Sequence, residues 1–454
     1  MSSEVASAEV RAVVAASAVG TVMEWYDFAL YGAAAALFIN RSFFPTADAL
    51  TGSLAAFATF AVGFLARPLG GFVVAHYGDR IGRKPALVFT VTLMGLSTVL
   101  IGFLPDYGTI GIWAPILLVL LRLLQGFGAG AELAGAITYI AEYTPTRRRA
   151  FFTSIPNACT AVGLALAVGL YAVLGAALDD EQMLRWGWRV PFVASLLIVV
   201  VAVYIRRRLH ESPAFAAEQS KIAAATKLPL AQVLGERGRN VALGFFAVTG
   251  HNANAYVLNA FSLGYITGTL HLGRGLALAA LLLAAAAGTV TTPLFGMLAD
   301  RIGRKPVFVG GAAFIALFAF PFFGLLETGV PALVIAAMML GYGLGFGAMS
   351  GAQGAYLAEL FATRYRYTGI AAAREMNSVL IAGPTPFVAS ALVAAAGGRP
   401  WLVALYLVAC QVVTAVAVLL TRGDVEAADG ADLPPSRAAT RAEARRPLPF
   451  HRRG

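Results

Sequence analysis

GDRIGRKP at residues 78–85 returns almost unchanged as ADRIGRKP at 299–306, an offset of 221. A weaker pair repeats at nearly the same interval, EYTPTRRR from Glu142 and ELFATRYR from Glu359. Two motifs at almost one offset argue for a duplicated half. Each first-motif copy is a short polar break between apolar runs. Glycine suits a tight turn there, Asp can cap or pair, and clustered Arg and Lys can bridge neighbouring helix ends. The repeated charges therefore propose a gate: Asp79, Arg80, Arg83 and Glu142 in one half, and Asp300, Arg301, Arg304 and Glu359 in the other.

Working outward, the apolar runs are long enough to cross a hydrocarbon layer of ~30 Å, which takes about 20 residues each. They fall at 12–39, 51–76, 86–104, 112–141, 151–178, 190–206, 240–268, 275–298, 307–326, 331–358, 368–396 and 401–421. The sequence thus predicts an all-α membrane protein of twelve transmembrane helices in two six-helix repeated halves. The halves are residues 1–206 and 240–421, joined by a cytoplasmic central loop at 207–239 and followed by a disordered cytoplasmic tail at 422–454. Composition agrees, with 59% hydrophobic and only 13% charged residues and a mean hydropathy of +0.74. The net charge of +10 sits mainly in the loops and the tail, a topogenic pattern rather than a nucleic-acid footprint. Basic clusters at 80–84, 147–149, 206–208, 301–305 and 364–366 share one side. The positive-inside rule puts both termini in the cytoplasm of a cell inner membrane. The first apolar run reads as a retained helix rather than a cleaved signal.

Cys159 and Cys410 lie in apolar spans without metal-ligand spacing. Glycine strings at 126–130 and 341–347 carry no Lys-Ser/Thr and read as helix-packing faces, not phosphate loops. With no Walker motif, nucleophile elbow or zinc cluster, neither an ATP-driven pump nor an enzyme is expected, and no cofactor. A monomer handling a small-molecule solute and protons is the expectation.

G-D-R-x-G-R-K in the loop after spans two and eight resembles the signature of the major facilitator superfamily. MEWYDFALYG, FLARPLGG, LRLLQGFGAGAE and RWGWRVPF resemble its metabolite:proton symporter branch, which includes carriers of α-ketoglutarate, citrate, shikimate and proline or betaine. The resemblance covers about 20–422. It implies a twelve-helix fold, proton-coupled solute uptake and alternating access.

The polar residues inside the spans supply the chemistry. Glu24, Asp27 and Tyr31 share one face of the first span by their spacing of three and four. A membrane carboxylate whose cationic partner comes and goes can take and release a proton. Asp27 is the stronger candidate for that role, while Glu24 either couples protons or shapes the field. The alternative is an acid locked in an ion pair. Arg122, Gln125, Ala129 and Glu132 form one stripe of the fourth span. Arg122, too costly in a membrane to stand alone, is expected to pair with Asp27 when empty and with substrate when loaded, or else to form a fixed bridge. Glu132, ~15 Å further along at 1.5 Å per residue, reads as a gate or packing pair. Arg67 reads as structural, near the cytoplasmic end of the second span. Span seven is unusually polar; Asn252, Tyr256 and Asn259 share a face suited to binding solute, and His251 is either titratable or simply hydrogen-bonded. In span eleven, Arg374 and Glu375 must serve different neighbours, and Arg374 either binds an anion or closes a gate. These features favour proton-coupled symport of a mono-, di- or tricarboxylate. A zwitterionic osmolyte importer such as one for proline or betaine, an exporter of a drug or biosynthetic product, and a non-transporting sensor are the alternatives.

Overall fold

The computed structural model describes residues 3–45, 49–81, 83–130, 132–207, 229–361 and 366–421. Within them every long element is a helix. That is the demand of hydrocarbon, where a spanning backbone must satisfy its own N–H and C=O groups. In chain order the passes are α1 (Ser3–Ala34), α2 (Ala49–Ile81), α3 (Arg83–Phe103), α4 (Trp113–Ala129, resuming as Glu132–Tyr143), α5 (Arg149–Ala177) and α6 (Val190–Arg207). The second half follows with α7 (Pro229–Tyr256), α8 (Arg274–Ile302), α9 (Arg304–Glu327), α10 (Pro331–Leu340 and Gly347–Leu360), α11 (Arg366–Asn377 and Thr385–Ala395) and α12 (Trp401–Leu420). Among the described residues, eight helices are long and apolar enough to cross a membrane on that ground alone. The bent first span, the shorter apolar stretches Ala58–Val74 and Val88–Phe103, and the polar α7 make up the remaining passes. Leucines on the outside, such as Leu197 (73% exposed) and Leu317 (80% exposed), suit a lipid-facing belt.

Two features depart from the sequence reading. The stretch from Pro229, expected to be loop, is helical and joins α7 across a backbone break at Arg237 (φ −133°). In addition, π-helical turns interrupt or extend several passes, at Ala35–Ile39, Val257–Phe261, Tyr265–Thr269, Gly341–Phe346 and Ser378–Ala382. A π turn inserts an extra residue per turn and re-aims the side chains beyond it. Hydropathy carries no trace of that.

The GFGAG string is a packing face, as expected. A Cβ on Gly126 would collide with the carbonyl oxygen of Gly63, and one on Gly130 with the carbonyl of Arg67. The backbones of α2 and α4 therefore touch along two turns, and this close approach fixes where Arg67 and Arg122 stand. Between the halves, α5 runs along α8 and α10. Turning from α8 to α9 inside ADRIGRKP takes Gly303 at φ +101°, a conformation suited to glycine.

Gly126→Leu is predicted to destabilise the detergent-purified protein by about 1–3 kcal/mol or more through overpacking. Gly175→Leu, at a position where nothing lies within 4 Å of the added Cβ, is predicted to melt like the wild type. Equal thermal midpoints for the two variants would contradict the close α2–α4 approach.

Candidate functional site

Four wholly buried side chains on three helices form a chain of hydrogen bonds that all point one way. Arg122 on α4 donates through Nη1 to Gln125 Oε1, one turn along the same helix. Gln125 Nε2 donates to Thr98 Oγ1 on α3 at 2.7 Å. Thr98 Oγ1 in turn donates to Asp27 Oδ2 on α1 at 2.8 Å. Each donor polarises the next, so the positive charge of Arg122 reaches Asp27 through neutral links. The direct Arg122–Asp27 pair expected from sequence is absent. Arg122 instead donates to the Phe60 carbonyl at 3.1 Å and lies 4.0 Å over the Tyr31 ring. The Tyr31 hydroxyl is held by Thr59 at 2.6 Å. Asp27 Oδ1 is buried and makes no hydrogen bond. The lack of a side chain at Gly63 leaves the room that the guanidinium fills.

A second cation also lies close to Phe28. Arg67 on α2 donates to Glu24 on α1 at 2.6 Å and to Glu375 on α11 at 2.9 Å, with all three groups buried. Arg67 thus joins the two halves through a buried ion triad, a structural contact between α1, α2 and α11. Phe28 lies beside both networks, with Arg67 5.0 Å and Arg122 5.5 Å from its ring centroid. Glu132 is buried and close enough to act electrostatically on Glu24. Its placement on the α4 stripe follows the spacing read from sequence.

Across the interface, the polar face of α7 is bonded mostly to its own half. Asn252 donates to Asn377 at 2.7 Å, and Asn377 donates to Thr249 at 2.8 Å. His251 meets Ser350 at 2.7 Å and Asn252 at 3.3 Å, stacked on Phe346. It is a satisfied hydrogen-bonding residue. Arg374 donates to Gln353 at 2.6 Å while Glu375 serves Arg67, so the adjacent pair does serve different neighbours.

Tyr256 and Asn259 leave that network. With Trp25, Phe28 and Phe60 from the first half and Leu281 from α8, they line a cavity of about 580 Å³ counted to its mouth. Trp25 Nε1 and both polar atoms of the Asn259 amide are buried without hydrogen-bond partners.

Toward the motif-bearing face, Asp300 accepts from the backbone N–H groups of Ala150 and Phe151 at 3.1 and 2.9 Å. It therefore caps the start of α5 in the other half, where the helix dipole favours an anion. Arg304 pairs with Asp300 at 3.3 Å and Glu359 at 3.2 Å and donates to the Thr146 carbonyl across the interface. Arg301 is exposed. The side chains of Asp79, Arg80, Arg83 and Glu142 lie outside the described residues.

Sequence reasoning did not single out Thr98, Gln353, Ser350 or the Arg67–Glu375 contact. Arg67 and Glu375 were visible as costly charges in apolar spans, but Thr98 gives no signal in sequence, since a threonine in such a span is commonplace.

Comparison with known proteins agrees with this fold. The sequence model described as "Major Facilitator Superfamily" matches residues 17–384 and 258–450. The chain is 41% identical to the shikimate transporter of Escherichia coli (strain K12), over 91% of this chain and 94% of that one. It is 34% identical to the proline/betaine transporter of Salmonella typhimurium, over 85% and 78%. The solved structure of the proton:xylose symporter XylE bound to 6-bromo-6-deoxy-D-glucose, a protein of Escherichia coli, superposes with a TM-score of 0.73 at 17% identity. That alignment covers 91% of this chain and 95% of the other.

Removing one member of a buried ion triad strands the others, which typically costs about 3–5 kcal/mol. Arg67→Met is predicted to lose stability of that order in detergent melting. Adding Glu24→Gln and Glu375→Gln to the same protein is predicted to restore most of it. A single variant as stable as wild type would show that the triad is not a buried, dry contact.

Proposed function

The chain belongs to the Major Facilitator Superfamily, and on that footing we propose that it couples protons to the symport of a small organic anion by alternating access. It is a transporter and not an enzyme, a multi-pass membrane protein handling a small solute. The observation that carries the proposal is the aligned chain from Arg122 to Asp27, ending on one oxygen of a carboxyl whose other oxygen makes no hydrogen bond.

In this reading Asp27 Oδ1 is the atom that takes the proton. Gln125 and Thr98 hold Oδ2 in place and transmit the field of Arg122, so that moving α3 or α4 against α1 alters how well the anion is supported. Solute enters the cavity between the halves, within the positive field of Arg122 and Arg374. Glu24, held by Arg67, belongs to the strut between the halves. Opening the motif-bearing face parts Arg67 from Glu375, and Asp300 and Arg304 from α5. Residues 1–206 and 240–421 are the two moving bodies of a monomer, with both termini in the cytoplasm, beneath the inner membrane. Basic loops on the motif face support that orientation.

A second reading has its own observation. The aromatic wall of Trp25, Phe28, Phe60 and Tyr256 would suit a zwitterion with a quaternary ammonium, which aromatic faces attract. Competition between glycine betaine and carboxylates for uptake separates the two.

Asp27→Asn in proteoliposomes is predicted to abolish uphill solute accumulation under an imposed proton gradient, a drop of at least tenfold in the accumulated ratio. Solute exchange across the same membranes is predicted to persist. Normal accumulation by Asp27→Asn would remove Asp27 from the coupling step.

A further inference from the structure

Among the residues that line the cavity, only Trp25, Tyr256 and Asn259 have polar side-chain atoms. The Trp25 indole nitrogen and the Asn259 amide are enclosed by protein and do not open into the cavity. Tyr256 Oη makes no hydrogen bond and is not enclosed. It is the one open polar side-chain atom of this wall. The remainder is apolar, with Phe28, Phe60, Leu164, Val168 and Leu281 among it. A solute body carrying several hydroxyls or a second charge would give up its water here with nothing to replace it. A flat apolar body loses nothing by entering.

Three arginines act electrostatically on the Tyr256 hydroxyl: Arg67, Arg122 and Arg374. Two of them are committed. Arg67 donates to Glu24 and Glu375, and Arg122 to Gln125 and the Phe60 carbonyl. Arg374 differs. It is half-buried, and among the described residues no carboxylate pairs with it. Its Nη1 donates to Gln353 Oε1 at 2.6 Å, while Nε and Nη2 make no hydrogen bond and are not enclosed. Those two nitrogens form one edge of the guanidinium, an edge that can take a carboxylate through two parallel hydrogen bonds. A guanidinium without an anion is costly in an apolar span, so this one is arranged for an anion that arrives with the solute.

Resting on the transport reading above, we propose that Arg374 and Tyr256 are the direct ligands of the solute's carboxylate, and that the solute is a monocarboxylate with a flat apolar body, as in an aromatic acid. The Nε–Nη2 edge of Arg374 donates to both carboxylate oxygens, and Tyr256 Oη donates to one of them. The ring of the solute lies against the apolar wall. Gln353 is a positioning residue, which occupies Nη1 and leaves the other edge to the anion. Anion binding then belongs to the second half and proton binding, at Asp27, to the first.

Thermal melting of the detergent-purified protein with benzoate and benzamide tests this, since a ligand of the folded state raises the midpoint. The two probes share a ring and differ in charge. Benzoate is expected to raise the wild-type midpoint and benzamide to leave it unchanged. Arg374→Gln is expected to weaken benzoate binding roughly tenfold or more, and Tyr256→Phe about three- to tenfold. Arg374→Lys keeps the charge without the fork and is expected to fall between wild type and Arg374→Gln. Melting without ligand shows which variants are folded, and Tyr256→Phe with the benzamide comparison decides the matter if the Arg374 variants are not. Equal benzoate shifts in wild type and the folded variants would overturn the roles of Arg374 and Tyr256. A larger shift with citrate, shikimate or glycine betaine than with benzoate would overturn the substrate class, and proton-driven uptake of that solute would leave the transport reading standing. No shift with any of these anions or with glycine betaine would overturn the site. Proteoliposomes that take up none of them under a proton gradient would count against transport itself.

Discussion

A guanidinium buried between two carboxylates sets the terms for the rest of this molecule. Arg67 reaches Glu24 on α1 and Glu375 on α11, and all three side chains are buried. Charges in a membrane interior are stable only when met by partners, so α1, α2 and α11 are held in one register by electrostatics as much as by packing. The glycine contacts between α2 and α4 then carry that register across to Arg122. Phe28 lies beside both cations, whose hydrogen-bond partners form two separate sets.

That separation gives the two acids of α1 different work. Glu24 is committed to a direct ion pair with Arg67, the cation that reaches Glu375 in the other half. Asp27 meets its cation only through Gln125 and Thr98 and keeps one oxygen free of hydrogen bonds. A carboxyl supported at second hand can change protonation state without breaking a strut, whereas a change at Glu24 would loosen the contact between halves. At the motif-bearing face, Asp300 on the start of α5 adds a latch that uses a helix dipole in place of a second side chain. The interface thus has a deep ionic contact and a peripheral one, with the cavity beside the former.

Much of this was legible in the sequence, for definite reasons. Repeats at a constant offset and apolar runs of spanning length are properties of the chain alone, so the twelve-helix fold in two halves could be read directly. Helical spacing placed Arg122 and Gln125 on one stripe and Glu24 with Asp27 on one face. What spacing cannot give is which helix comes to meet a polar side chain. Thr98 entered the site because α3 packs beside α1 and α4, and Arg67 met Glu375 because the halves close deep in the protein. Neighbouring helices also decide what a shared face meets, and the face drawn through Asn252, Tyr256 and Asn259 divides between two neighbours. Asn252 turns to α11, while Tyr256 and Asn259 turn to the cavity.

The central claim is that one carboxyl, Asp27, ties proton movement to solute movement. Solute-driven proton flux in proteoliposomes, followed with a trapped pH-sensitive dye and no imposed proton gradient, measures that tie most directly. An inward gradient of the transported solute is predicted to acidify the lumen of wild-type vesicles and to leave the lumen of Asp27→Asn vesicles unchanged while the solute still equilibrates. Acidification of equal size in both would contradict the account.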